Sequence, residues 1–178
     1  MTFTNEKKTY LAKMDKSKKG EIDEKIKPLL AVFNARDQYY TTSSCSGRVY
    51  LWKGTGKKNE TQWLRVSHDP IDASFFSVSE AGLVWLRLEG VILHIACQDL
   101  AAANELLEKA MRIYKKSSIL SASNKIIVEL RGSECMEMPF YQDGVILFSG
   151  EFPWLADLIN RKMEKMWEGI EKIKEILQ

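Results

Sequence analysis

The chain has 178 residues, 45% hydrophobic and 28% charged, proportions of a globular protein with a sizeable core rather than of a disordered chain. No apolar run approaches the roughly 18 residues of a membrane helix, Met1 to Glu6 lack a signal-peptide core, and Cys45, Cys97 and Cys135 are too few and too irregular for a disulfide framework. The net charge of +2 hides an asymmetry: residues 1–65 carry 14 basic against 7 acidic side chains, and residues 66–178 carry 12 against 17. A basic half points to a polyanionic partner or to a lysine-rich solvated surface.

Residues 5–20 are polar and lysine-rich, and read as a partly ordered lead-in. From Glu21, a stripe of Ile22, Ile26, Leu29, Leu30 and Phe33 predicts a helix ending near Asn34 to Asp37, with Pro28 marking a kink or a late start. Tyr39 to Arg48 then begins as a strand and loses its bulky side chains after Tyr40, becoming Thr41-Thr42-Ser43-Ser44-Cys45-Ser46-Gly47-Arg48. No core-building pattern explains that run; small side chains and Gly47 permit close approach, and Arg48 offers a fork of donors for phosphate or carboxylate. Val49 to Trp52 and Thr61 to Ser67 read as two strands around a basic turn, Gly54 to Asn59. A short helix is expected over Ile71 to Ala81, capped near Asp69 and closed by Gly82.

Leu83 to Leu88 and Val91 to Cys97 follow as strands. In the second, alternation places Val91, Leu93, Ile95 and Cys97 on one face and Ile92, His94 and Ala96 on the other. Asp99 caps a helix whose buried stripe is expected to be Leu100, Ala103, Leu107, Ala110 and Tyr114. The serine-rich segment Lys115 to Ser123, a strand Lys125 to Arg131, a connection Gly132 to Pro139 and a strand Val145 to Ser149 come next. Leu155, Ile159, Met163, Met166, Ile170, Ile173 and Leu177 mark a long C-terminal helix. The element order fits a single α+β domain with mixed sheets and outer helices, with an internal α-βββ-α duplication over residues 21–82 and 99–178 and no doubly wound Rossmann sheet.

Chemistry has few carriers. Neither a glycine-rich dinucleotide fingerprint nor a Walker loop is present. No metal site is expected, because strand alternation sends His94 and Cys97 to opposite faces and no CxxC or HxxxH occurs. Cys45 reads either as a nucleophile with His68 as its base or as a small side chain filling a tight strand. His68, followed by Asp69 and Asp72, reads either as a base oriented by a carboxylate or as a polar neighbour of a helix cap. Residue types alone thus reach a phosphate- or nucleotide-facing pocket beside a basic surface.

Asp15-Lys16-Ser17-Lys18-Lys19-Gly20-Glu21-Ile22-Asp23, Ile26 to Leu30, Asn34 and Tyr39 to Arg48 together resemble the tRNA wybutosine-synthesising protein 3 family, a likeness that continues through Trp63 to Asp69, Asp72, Ile92-Leu93-His94, Lys115-Lys116-Ser117 and Glu151 to Asn160. Gly90 stands where the family usually has proline, and Ile113 and Ser118 where it has glycines. The resemblance implies an S-adenosyl-L-methionine-dependent methyltransferase acting in the cytoplasm on N4 of 7-(3-amino-3-carboxypropyl)-4-demethylwyosine in tRNA(Phe); no obligate protein partner is inferable from it. It implies cofactor contacts from Ser43, Ser46, Gly47, Arg48, Ser67 and Ser117, catalysis by His68 assisted by Asp72, and RNA contacts from Lys16, Lys18, Lys19, Lys57, Lys58 and Lys116. A non-catalytic tRNA-binding module and a Cys45/His68 thiol hydrolase are the alternative readings.

Overall fold

The computed structural model describes residues 2–12, 22–55 and 60–178. Two compact units interleave along the chain. One comprises Met1–Ser46, Val91–Ser133 and Met166–Gln178; the other comprises Gly47–Gly90 and Glu134–Lys165.

The first unit is built on a four-stranded antiparallel sheet of β1 (Tyr39–Cys45), β5 (Ile92–Cys97), β7 (Ile126–Arg131) and β6 (Ser118–Ser121), in that order. One face is apolar: Tyr39, Leu93, Ile95, Val128 and Leu130 are buried on it. Helices α2 (Lys27–Ala35) and α3 (Leu100–Ala110) pack on this sheet. Pro28 sits in the first turn of α2, where its missing N–H is no loss, so the helix starts late, after a 3-10 turn at Glu24–Ile26. Asp99 caps α3 as expected, accepting from Ala102 N at 2.8 Å. The α3 stripe differs from the predicted one: Leu100 is 52% exposed and Leu106 takes a buried place beside Ala102, Ala103 and Ala110. The sheet's demand for Tyr39 Oη to donate to Ala102 O (3.0 Å) fixes which side of α3 faces inward.

The described part of the lead-in is helical. α1 (Phe3–Leu11) is capped by Thr2 and lays Phe3 and Tyr10 against the Tyr40 ring, with centroids 5.3 and 5.4 Å away. Residues 13–21 and 56–59, which include Lys16, Lys18, Lys19, Lys57 and Lys58, lie outside the described residues.

The second unit carries a five-stranded antiparallel sheet ordered β3 (Gln62–Ser67), β2 (Arg48–Lys53), β4 (Leu83–Glu89), β8 (Met136–Gln142), β9 (Val145–Ile146). β4 alternates strictly, burying Val84, Leu86 and Leu88. The second half of the expected connection Gly132 to Pro139 belongs to β8; the ladder tolerates the proline because a register shift falls beside it, between Val84 and Trp85. The last predicted strand shrinks to Val145–Ile146, paired through a two-residue Asp143-Gly144 turn at φ 48° and 95°. Phe76, Phe140 and Phe152 form an aromatic core, with centroids 5.5 to 6.1 Å apart.

α4 (Phe152–Leu177) follows the predicted stripe, burying Leu155, Ile159, Met163, Met166, Ile170, Ile173 and Leu177. Its first part belongs to the second unit and its last part to the first. Within the first unit, Gly169 is required by packing: a Cβ there would stand 2.8 Å from Tyr114 Oη, which donates to Met166 O. Among the described residues the fold is α+β, with two antiparallel sheets and four helices and no parallel Rossmann sheet.

Candidate functional site

In the second unit, the segment after β3 does not form the expected helix over Ile71 to Ala81. Asn160 of α4 brackets Ile71, accepting from its N–H at 2.9 Å and donating to its carbonyl at 2.8 Å. Both backbone groups of Ile71 are thereby removed from a helical ladder, and only the 3-10 turn Ala73–Phe76 forms. Its cap is Asp72, not Asp69: the Asp72 carboxylate accepts from Ser74 N at 2.8 Å and from Ser74 Oγ at 2.5 Å. The Ser74 hydroxyl, with the Ser74 amide behind it, holds the Asp72 carboxyl below the usual carboxylate range. Arg65 Nη1 ties the same turn from β3, donating to Ser74 O at 2.6 Å.

These residues border an open pocket of about 390 Å³, lined by Arg65, Ser67, Ile71, Asp72, Ser74 and Phe75 with Val66 and Pro70. Ser67 and Asp72 therefore share one cavity. His68 lies between them in sequence, half-buried in the bend after β3, and is not among the lining residues. The wall combines a cation, a carboxylate, two hydroxyls and apolar side chains.

Arg48 opens β2 and stands directly across from Glu89 in the β2–β4 ladder. Its Nε and Nη2 donate to Glu89 Oε2 at 2.9 and 2.7 Å, and the guanidinium lies 4.5 Å from the Trp63 ring centroid. Tyr50 stacks on Trp63 at 4.6 Å. The fork that the sequence offers to an external anion thus already has an internal carboxylate. Burial opposes ionisation of Glu89, yet Arg48 and the Tyr50 hydroxyl outweigh it and hold the carboxyl low. Gly47, just before, adopts φ 94°, a conformation that favours glycine.

The remaining predicted residues among those described, Ser43, Ser46, Ser117 and Lys116, belong to the first unit. Ser46 is fully buried, and its N–H and hydroxyl donate to Asp23 Oδ2 at 2.9 and 3.0 Å. Ser117 is also buried, donating to Tyr114 O at 2.7 Å and accepting from Arg131 N at 3.4 Å. Both hydroxyls donate their proton within the fold. Lys116 beside it is exposed. Ser43 is exposed on β1, and its Oγ lies 3.1 Å from His94 Nδ1. His94 Nε2 in turn lies 3.0 Å from Glu129 Oε2.

Sequence reasoning weighed His94 only as a metal ligand and did not single out Glu129. Alternation had placed His94 opposite the buried face of its strand, but nothing local announces that Glu129, 35 positions away, is its cross-strand neighbour.

A profile of the family described as Methyltransferase TYW3 matches residues 5–178. The tRNA(Phe) 7-((3-amino-3-carboxypropyl)-4-demethylwyosine(37)-N(4))-methyltransferase 1 of Pyrococcus horikoshii is 33% identical over 184 residues, covering 97% of this chain and 93% of that one. The similarly named methyltransferase of Methanocaldococcus jannaschii is 34% identical over 180 residues, covering 94% and 93%. Among solved structures, that of the PH1069 protein from Pyrococcus horikoshii superposes with a TM-score of 0.89 at 31% identity, over 99% of this chain and 96% of the other.

Proposed function

The chain belongs to the TYW3 methyltransferase family, and from that membership we propose that it transfers a methyl group from S-adenosyl-L-methionine to N4 of 7-(3-amino-3-carboxypropyl)-4-demethylwyosine in tRNA(Phe), in the cytoplasm. The observation that carries this reading is the match along nearly the whole chain to relatives named for that reaction.

The pocket beside β3 fits the methyl donor by residue type. S-adenosyl-L-methionine carries a carboxylate, an ammonium, ribose hydroxyls and an adenine ring. Arg65 offers a cation, Asp72 an ionised acceptor, Ser67 and Ser74 hydroxyls, and Ile71 and Phe75 an apolar wall. When bound, the donor supplies an electrophilic methyl group. The protein's own residues then have to orient the accepting nitrogen and take its proton. Asp72 is a poor acceptor for that proton, because its hydrogen bonds to Ser74 favour the ionised form. Its part is to bind and to hold the turn.

Phosphate contacts come from exposed lysines such as Lys116, joined by Lys16, Lys18, Lys19, Lys57 and Lys58 in this reading; such contacts supply affinity rather than base specificity. Among the described residues no helix is long and apolar enough to cross a membrane, in keeping with a tRNA substrate.

Incubation of demethylwyosine-containing tRNA(Phe) with protein and S-adenosyl-L-methionine, followed by nucleoside mass spectrometry, tests the reading. A gain of one methyl group that requires both protein and donor is expected. Binding of tRNA without any such gain would leave only an RNA-binding module.

A further inference from the structure

We propose that Asn160 is a positioning residue for the methyl donor: by holding the backbone of Ile71 it shapes the wall of the pocket beside β3, and so sets the affinity for S-adenosyl-L-methionine without touching it. The inference rests on the reading above that this pocket takes the donor. Every residue it uses lies in the second unit.

The wall is a stretch with little regular structure of its own. Between the end of β3 at Ser67 and the 3-10 turn Ala73–Phe76, no residue belongs to a helix or a strand. Local clasps shape its two ends. At the start, Ser67 Oγ donates to Asp69 O at 2.7 Å and accepts from Asp69 N at 3.1 Å. At the far end, Asp72 O accepts from Phe75 N at 3.1 Å, and Phe76 is fully buried against Phe140 and Phe152. Clasps of the first kind bend a chain within a few residues and leave open where the bend stands against the rest of the fold. Ile71, midway along the stretch, is tied from a distance. Its N–H and its carbonyl both find Asn160, 89 positions further on, at 2.9 and 2.8 Å, and among the described residues Asn160 is the partner of both groups.

This contact needs a primary amide. Oδ1 accepts while Nδ2 donates, so one side chain offers Ile71 what a neighbouring strand would, and only Asn and Gln carry both groups side by side. It adds no charge to a wall that already holds Arg65 and Asp72. The amide also stands on a packed base: Leu155, Ile159 and Met163 are buried on the turns of α4 around it. A pocket keeps its shape only as far as the groups behind its lining are themselves fixed. Ile71 lines the pocket and Asn160 does not. The amide therefore acts on the donor through Ile71 and through Asp72 beside it.

Isothermal titration of S-adenosyl-L-methionine into the full chain, with amide exchange of the ligand-free protein, tests the role. Asn160→Ala is expected to raise the donor Kd about 10-fold or more, because both Ile71 groups lose their partner. The donor KM should rise alike while kcat at saturating donor stays within about 2-fold. In the same variant the Ile71 amide should exchange about 10-fold faster or more. Met163→Ala, which removes a buried side chain from the next turn of α4, should lower the urea midpoint at least as far, yet leave the donor Kd within about 2-fold. Should Asn160→Ala fail to fold, Asn160→Asp, which keeps the acceptor for the Ile71 N–H and loses the donor to its carbonyl, carries the same expectation for Kd. Unchanged donor binding in the Asn160 variant overturns the role. So does equal weakening in Met163→Ala, which would mark a general loosening of the unit. Ile71→Ala and Phe75→Ala alter the lining itself; if both bind the donor as the wild type does, the pocket is not the donor site and the role falls with it. A wild type that binds no S-adenosyl-L-methionine overturns the reading of function.

Discussion

Each sheet carries a polar row between directly opposed strands, and the two rows end differently. On the five-stranded sheet, Arg48 and Glu89 close on each other, with both guanidinium donors on one carboxylate oxygen and the cation over Trp63. On the four-stranded sheet, Glu129 and His94 lead outward to an exposed hydroxyl on Ser43. A closed pair satisfies its donors internally and stabilises the strands that carry it. An open row leaves a hydroxyl exposed at the end of its chain of donors and acceptors. Formal charge is therefore a poor guide to chemistry here: the arginine that looks most like an anion fork is braced from within, whereas a serine beside a histidine holds the free end.

The largest effect should come from breaking the closed pair. Glu89→Ala leaves the half-buried Arg48 without its acceptor and removes the partner of the Tyr50 hydroxyl. A loss of about 2 kcal/mol is expected, read as a lower urea midpoint at unchanged slope. A cost near zero would mean that the row is not closed in the sense argued.

Acidification is a milder test of the same pair. The folded Glu89 carboxyl is held below its ordinary range, so the unfolded chain takes up the proton first as pH falls. The stabilisation is present above the unfolded carboxylate range and is lost as pH drops through that range toward the folded value. Glu134, drawn down by Lys162 and Lys165, adds a slope of the same sign. Glu89→Gln should flatten part of the acid limb of unfolding free energy against pH; an unaltered limb would assign it elsewhere.

The smallest effect concerns the scaffold of the open row. Cys97 lies on β5, three positions from His94, and burial, reinforced by Asp99, pushes its thiol up to about 12. Cys135 is exposed. Iodoacetamide at neutral pH should label Cys135 readily and Cys97 only on unfolding. Early labelling of Cys97 would show that the strand bearing His94 opens, which a row paired on both sides does not allow.

Local patterns carried the elements whose partners are close in sequence. The α4 stripe, the Asp99 cap, the late start at Pro28 and the alternation of β5 were all legible, because each depends on residues within a turn or a pleat of one another. α1 was missed because its apolar side is only Phe3 and Tyr10, and its reason to exist is Tyr40. The helix expected over Ile71 to Ala81 gave way because Asn160, far along the chain, claims the backbone of Ile71. The acceptors of the Ser46 and Ser117 hydroxyls, Asp23 and Tyr114 O, are set by the fold and not by the serine-rich runs themselves.

By itself, the sequence determined the α+β class, the long C-terminal helix and the family, since these rest on periodicity and on runs of residues such as Tyr39 to Arg48. Only the tertiary structure decided which polar side chains meet. Strand order and a one-residue slip in β1 set Ser43 against His94 and Glu129, and β2–β4 pairing set Arg48 against Glu89. Cross-strand partners are chosen by long-range packing of buried faces, and no local period encodes that choice.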